Sequence, residues 1–202
     1  MKLSKIAISI LSISLVTACS NDSPNVEVKG DTEDTTIVKK HESVELPVTI
    51  YKQENYFSGE DVTFIRTIES VKADNFTEST AIDFTDRYDN QIKQMNLDLT
   101  NDYKRIAISM THNIEGKTTK TPMEAFILDE NSEILFNNEP IQDEVVTKQL
   151  KLSTLDYRMG STHDKKGEIV FAIPKKYMEG ILQLKTISRN NENNEVIYID
   201  LN

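Results

Sequence analysis

Apolar and polar residues alternate along much of the chain beyond residue 47, and a period of two marks a strand with one buried face. In Arg105–His112 the residues Ile106, Ile108 and Met110 share a face; in Glu168–Ile173 the inward set is Ile169, Phe171 and Ile173; in Val196–Leu201 it is Ile197, Ile199 and Leu201. Weaker versions of the pattern predict strands at Val48–Tyr51, Val62–Val71, Ala81–Phe84, Ala125–Leu128, Val145–Leu155 and Ile181–Ile187. Turn formers separate them at Ser58-Gly59-Glu60-Asp61, Asp129-Glu130-Asn131-Ser132, Gly160-Ser161 and Asn190–Asn194. Pro174 closes the Ile169 strand because proline cannot donate to a sheet ladder, and Lys175–Met178 forms a turn or helical step before Ile181. Phe84–Leu99 departs from the pattern: Ile92, Met95 and Leu99 recur at helical spacing. A short helix or structured crossover is expected there, with a long polar loop as the alternative. About seven to nine short strands in one domain predict an all-β fold, an antiparallel β-sandwich.

The first residues follow a different rule. Lys2 and Lys5 precede an apolar run from Ile6 to Val16, relieved only by serines. A run of about eleven residues is too short to span a bilayer, which needs ~20 helical residues, but it suits a cleaved signal peptide over residues 1–18. The sequence Leu15-Val16-Thr17-Ala18-Cys19-Ser20 places a small residue before a cysteine and resembles the lipobox of bacterial lipoprotein precursors. Val16 and Thr17 stand where leucine and alanine or serine are commonest in that family. The resemblance implies that Cys19 becomes a diacylated amino terminus. Two acyl chains, at ~0.8 kcal/mol per buried CH₂, anchor stably where one is marginal. Cys19 is the only cysteine, so no intramolecular disulfide forms.

Residues 19–46 read as a flexible acidic tether, since Ser20–Pro24 and Gly30–Thr36 carry few large apolar groups to offset the entropy of ordering. A chain of this length reaches roughly 30 Å from the bilayer. Residues 47–202 remain for one folded domain. The formal charge of −10 falls to about −12 once Lys2 and Lys5 are removed. Such a chain repels phosphate backbones and shows no basic stripe interleaved with aromatics, so no nucleic-acid partner is expected.

The strand Ile106–His112 ending at Asn113, the segment Phe126-Ile127-Leu128-Asp129 before a turn, and Lys166-Gly167-Glu168-Ile169-Val170-Phe171-Ala172-Ile173-Pro174 followed by a terminal strand resemble bacterial telokin-like lipoproteins. The resemblance covers roughly residues 100–202 and implies an immunoglobulin-like β-sandwich. Its motifs are structural, so it bears on fold more than on function. Asn131-Ser132 replaces the glycine usual in the turn after the aspartate.

Candidate chemistry is sparse. His41, His112 and His163 are the only histidines. His41 falls in the tether, and His112 shares the face of Ile106 and Ile108 as a strand-end residue near the domain rim. His163-Asp164 offers a metal half-site or, more simply, a solvated loop tip. No Gly-x-Ser-x-Gly elbow occurs, and with six glycines in the chain no phosphate loop is evident. Carboxylate pairs such as Glu60-Asp61, or Asp83 with Asp86, carry no separation that points to glycoside chemistry. Asp129–Glu133 has oxygen ligands for weak calcium binding but lacks the glycine and register of an EF-hand, so a polar hairpin turn is the simpler reading. Tyr51, Tyr56 and Phe57 form either an exposed platform or a cover over the end of the sandwich.

No catalytic, cofactor-binding or metal-ligating residue, cofactor or small-molecule substrate is therefore expected. The sequence reads as a non-enzymatic binding or interaction protein on the extracytoplasmic face of the cell membrane. Its partners are the membrane, through acylated Cys19, and a protein or other envelope component. The rival is an extracytoplasmic hydrolase or metal-dependent enzyme built from dispersed carboxylates and His163. A transporter's substrate-binding lipoprotein is disfavoured by chain length and by the strand pattern.

Overall fold

A computed structural model describes residues 39–87, 94–154, 163–191 and 193–202. The signal peptide and Cys19, Ile92 of the expected helical stripe, and the turn at Gly160-Ser161 lie outside the described residues.

Eight strands join in one mixed sheet. They are β1 (Val48–Gln53), β2 (Val62–Asn75), β3 (Tyr103–Gly116), β4 (Glu133–Phe136), β5 (Glu139–Pro140), β6 (Lys166–Pro174), β7 (Leu182–Asn190) and β8 (Asn193–Asp200). The hydrogen-bonded order is β5-β4-β7-β1-β2-β3-β6, with β8 also paired to β7. The three strands read from clean alternation are β3, β6 and β8, and their inward sets are buried. The sheet is not wholly antiparallel, because β1 runs parallel to β7 where Tyr51 and Lys52 meet Arg189 and Asn190.

β2 and β3 form the long central pair. Val62, Phe64, Arg66 and Ile68 point inward along β2, and then the register shifts between Ile68 and Ser70. The extra residue is a β-bulge, which flips parity so that Val71 becomes the next side chain packed on the core.

β6 from Ile169 to Ile173 and β3 around Ala107 are buried on both faces. Ile106, Ile108, Met110, Ile169, Phe171 and Ile173 enter a main core shared with Leu182, Leu184, Ile197 and Ile199. Ala107, Val170 and Ala172 face a second cluster with Phe76, Phe84, Leu99, Val145 and Leu152. The near-continuous apolar run Ile169–Ile173 is the mark of a strand covered on both sides.

Helices supply that second cover, and two of them correct strand expectations. Ala81–Phe84 lies within α1 (Glu78–Arg87). Thr77 starts it: the Thr80 backbone N–H donates to Thr77 Oγ1 at 3.2 Å and the Thr77 N–H to Thr80 Oγ1 at 2.8 Å, a reciprocal cap. Phe84 then meets Phe76 edge to face at 5.3 Å. A four-residue helix, α2 (Leu99–Asp102), begins at Asp98, whose carboxylate accepts from the Asn101 N–H. The expected strand over Val145–Leu155 is replaced through Ser153 by α3 (Glu144–Ser153), while Leu155 lies outside the described residues. Asp143 caps α3, accepting from the N–H groups of Val145 and Val146, and Val145, Val146, Gln149, Leu152 and Ser153 are buried at helical spacing. Ala125–Leu128 is largely buried but forms no strand.

α3 also covers the outer edge of β6. Gln149, fully buried, accepts the Ala172 N–H at 2.7 Å, so a side-chain amide takes the place of a neighbouring strand. A 3₁₀ turn over Lys175–Glu179 follows Pro174, as its sequence predicts.

Residues 39–46, assigned by sequence to the tether, are docked on the opposite flank. The Val44 N–H donates to the Tyr198 carbonyl at 2.9 Å, and the His41 ring stacks on Tyr198 at 4.1 Å. Lys40 and Ser43 both donate to the Asp200 carboxylate, while Gln183 Nε2 donates to the His41 carbonyl and to Ser43 Oγ. The ordered domain therefore begins before residue 47.

Candidate functional site

A polar constellation built on two buried side chains lies toward one end of β2 and β3. Alternation along β2 turns Arg66 inward, where it is only 5% exposed, and register pairs it with His112 of β3. Arg66 Nε donates to His112 Nε2 at 3.2 Å. Its terminal nitrogen lies 3.6 Å from Glu124, and its guanidinium sits 5.4 Å from the centre of the Tyr51 ring. Glu124 in turn accepts from the Tyr56 hydroxyl.

His112 is 5% exposed, not at the rim as its sequence position suggests. Phe126 stacks on the ring at 4.0 Å and Phe64 meets it edge-on at 5.1 Å. Burial, followed by the positive charge of Arg66, pushes its pKa down to about 4, against a weaker opposing hydrogen bond with the Ala125 backbone. His112 is thus neutral at pH 7, and its Nε2 lone pair is committed to the arginine.

Gly167 makes room for this arrangement. A Cβ there would lie 2.3 Å from the Phe126 ring, so only glycine lets the ring settle between β6 and His112.

A cleft of about 240 Å³ opens beside the cluster, lined by Tyr51, Arg66, Leu128, Asp129, Glu130 and Arg189 among others. Arg189 donates to Asp129 and lies 3.9 Å from Glu130. Burial alone would raise the Asp129 pKa, but hydrogen bonds from Arg189 and Asn131 outweigh it and hold the carboxyl below its usual range. The Tyr51 hydroxyl is pushed up, chiefly by burial and then by Glu124. Each arginine in the cleft has at least one carboxylate as partner, so its charges balance within the domain.

The remaining sequence candidates are dispersed. Asp129, the first residue of the possible calcium loop, accepts from the Asn131 backbone and side chain as well as from Arg189, and Ser132 N–H closes the turn on the Asp129 carbonyl at 3.0 Å. Glu60 pairs with Lys120 at 2.6 Å. Asp83 and Asp86 lie on α1, and His163 and Asp164 are exposed before β6. Among the described residues no three His, Cys, Asp or Glu side chains group as a metal site, and no helix is long and apolar enough to cross a membrane. Tyr56 and Phe57 cover the end of the sheet: Tyr56 stacks on Phe64 at 4.9 Å and meets Phe57 at 4.8 Å.

Sequence reasoning passed over Arg66, Glu124 and Arg189. Arg66 did carry a signal, because it occupies an inward position between Phe64 and Ile68. Glu124 and Arg189 reach the cluster only through topology. No family model matches the chain, and neither a curated protein nor a solved structure does.

Proposed function

We propose that the chain is a non-enzymatic, lipid-anchored binding protein of the bacterial cell envelope. Acylated Cys19 holds it at the extracytoplasmic face, and an immunoglobulin-like sandwich of the telokin-like kind serves as its interaction domain. The sandwich reading is supported by one continuous core that takes residues from β3 and β6 as well as from β7 and β8, which lie toward opposite ends of the sheet order.

The observation that carries the binding reading is the mutual engagement of the polar groups around buried Arg66 and His112. His112 has its acceptor nitrogen filled by Arg66, and Glu124 accepts from Tyr56, so the constellation is engaged within the domain. A general base or nucleophile needs a free lone pair facing substrate. The rival hydrolase requires His163 among convergent acids, whereas His163 stands exposed beside Asp164 on the approach to β6.

Intact-mass measurement of protein extracted from membranes, beside its Cys19→Ala variant, tests the anchor. A mature chain starting at Cys19 with two or three acyl groups, lost in the variant together with membrane retention, is the expected result. An unacylated mass refutes the anchoring, and turnover of an ester, peptide or glycoside by the purified protein refutes the non-enzymatic assignment.

A further inference from the structure

The arm that leads into β1 changes character at Val44. Val44 and Leu46 pack against the main core, whereas Lys39-Lys40-His41-Glu42-Ser43 contains no aliphatic residue. Among the described residues, polar contacts and one ring stack hold this stretch to β7, β8 and the turn between β4 and β5. The Asn138 amide donates to the Lys39 carbonyl at 2.7 Å. The Gln183 amide donates to the His41 carbonyl at 2.9 Å and to Ser43 Oγ at 2.7 Å. Lys40 and Ser43 converge on the Asp200 carboxylate, and the His41 ring lies 4.1 Å from that of Tyr198, 13° from parallel.

The two amide clips are each half satisfied. Gln183 Oε1 and Asn138 Oδ1 are buried and accept from no group of the protein. Neither amide can be turned round, because its oxygen would then face the carbonyl oxygen of His41 or of Lys39. Among the described residues four buried side-chain polar atoms lack a partner, and two of them belong to the clips that grip this arm. A buried acceptor without a donor carries the full loss of its hydration. Ordering the arm also costs conformational entropy, and residues 39–43 bury no aliphatic surface that would offset it.

We infer that residues 39–43 form a releasable strap, which opens while the sheet and the packing of Val44 and Leu46 stay in place. Opening is a local event of the kind that low-stability segments undergo without global unfolding. It lets water reach the two amides and bares one face of the Tyr198 ring together with Gln183 and Asp200. Closure is keyed to Asp200, whose carboxylate accepts from Lys40, from Ser43 and from Gln183 at 3.2 Å. The strap belongs to the folded domain and is independent of whether Cys19 carries lipid.

Trypsin is the probe, applied under native conditions to the full chain in zwitterionic lipid nanodiscs. The cut after Lys40, resolved from others by fragment mass, needs extended chain on both sides of the bond, so its rate follows the population of the open strap. Asn138→Gly removes the clip on Lys39, and glycine keeps the positive φ of 71° found there. It should speed the cut about fivefold. Asp200→Asn discharges the carboxylate that Lys40 and Ser43 share and should speed the cut about tenfold. Phe84→Ala, which weakens the core on the far face of the sheet, should leave the cut at its original rate.

A cut that Phe84→Ala speeds as much as the clip variants do overturns the inference, because cleavage would then ride on unfolding of the whole domain. Unchanged rates in both Asn138→Gly and Asp200→Asn overturn it too, since the clips would not be holding the strap. So does an unsubstituted chain cut as fast as a free peptide spanning residues 34–46, which would mean that the strap is not docked. Circular dichroism checks that each variant stays folded.

Discussion

The two faces of β3 and β6 are built from different materials. On one face Ile106, Ile108, Met110, Ile169, Phe171 and Ile173 interlock with residues of β7 and β8, strand against strand. On the other, small Ala107 and Ala172 lie beneath helices, and the bulk comes from Phe84 and Leu152, carried by α1 and α3. The first face packs strands held in a hydrogen-bonded sheet, which leaves less freedom to collapse after a loss. The second is a helical cover whose elements can settle after a loss. The same two strands therefore belong to two environments that should answer mutation differently.

Truncation at matched residues is the strongest test of that difference. Phe171→Ala should cost about 4 kcal/mol, and Phe84→Ala about 2, because α1 can move inward where the sheet cannot. Chemical denaturation of both variants decides it, and equal losses would mean that the two faces are equally rigid.

Acid probes the polar end of the main face. His112 is neutral when folded down to about pH 4, whereas its ordinary value is 6.5. Between those values the unfolded chain binds a proton that the folded chain does not, so stability falls as pH falls. The contribution is fully present above pH 6.5 and is reduced by about 3 kcal/mol near pH 4. His112→Gln should flatten this part of the stability–pH curve, whatever it costs at neutral pH. A slope that survives the substitution would place the titrating group elsewhere.

Gly167→Ala tests how tightly the main face is closed over His112. The added methyl would meet the Phe126 ring, and a loss of about 2 kcal/mol is expected in thermal unfolding. A neutral outcome would show that Phe126 can swing aside.

The smallest effect belongs to the helical face. Asp143→Ala removes the cap of α3 and should cost about 1 kcal/mol, with faster hydrogen exchange confined to the first turn of that helix. Faster exchange in β6 as well would show that the cap also sets the grip of Gln149 on the sheet edge.

These contrasts explain what could be read in the sequence. β8 was legible because one buried side imposes alternation, as in Ile197, Ile199 and Leu201. The helical cover was not. Val145-Val146 is a β-branched pair that suggests a strand, and only Asp143 before it and the recurrence at Gln149 and Leu152 reveal the helix. Ala81–Phe84 is too short to show a period by itself; its meaning comes from the Thr77–Thr80 cap. The polar cluster was half legible. Arg66 stood at an inward position of β2, but Glu124 joins it from an irregular segment and Tyr56 from a turn, and alternation has no grip on either. His112 was placed on the right face and at the wrong depth, because β3 continues past it to Gly116.

The docking of residues 39–46 along β8 bears on mechanical load. In a protein anchored as proposed, a pull between cell and partner reaches the contacts of Lys40, His41 and Ser43 on β7 and β8 ahead of β1. Fully extended, the eight residues span at most about 27 Å at ~3.4 Å per residue, so the slack released on undocking is less than that. In a chain so anchored, these side-chain and edge contacts are what a pull would load before the hydrogen-bonded ladder of the sheet.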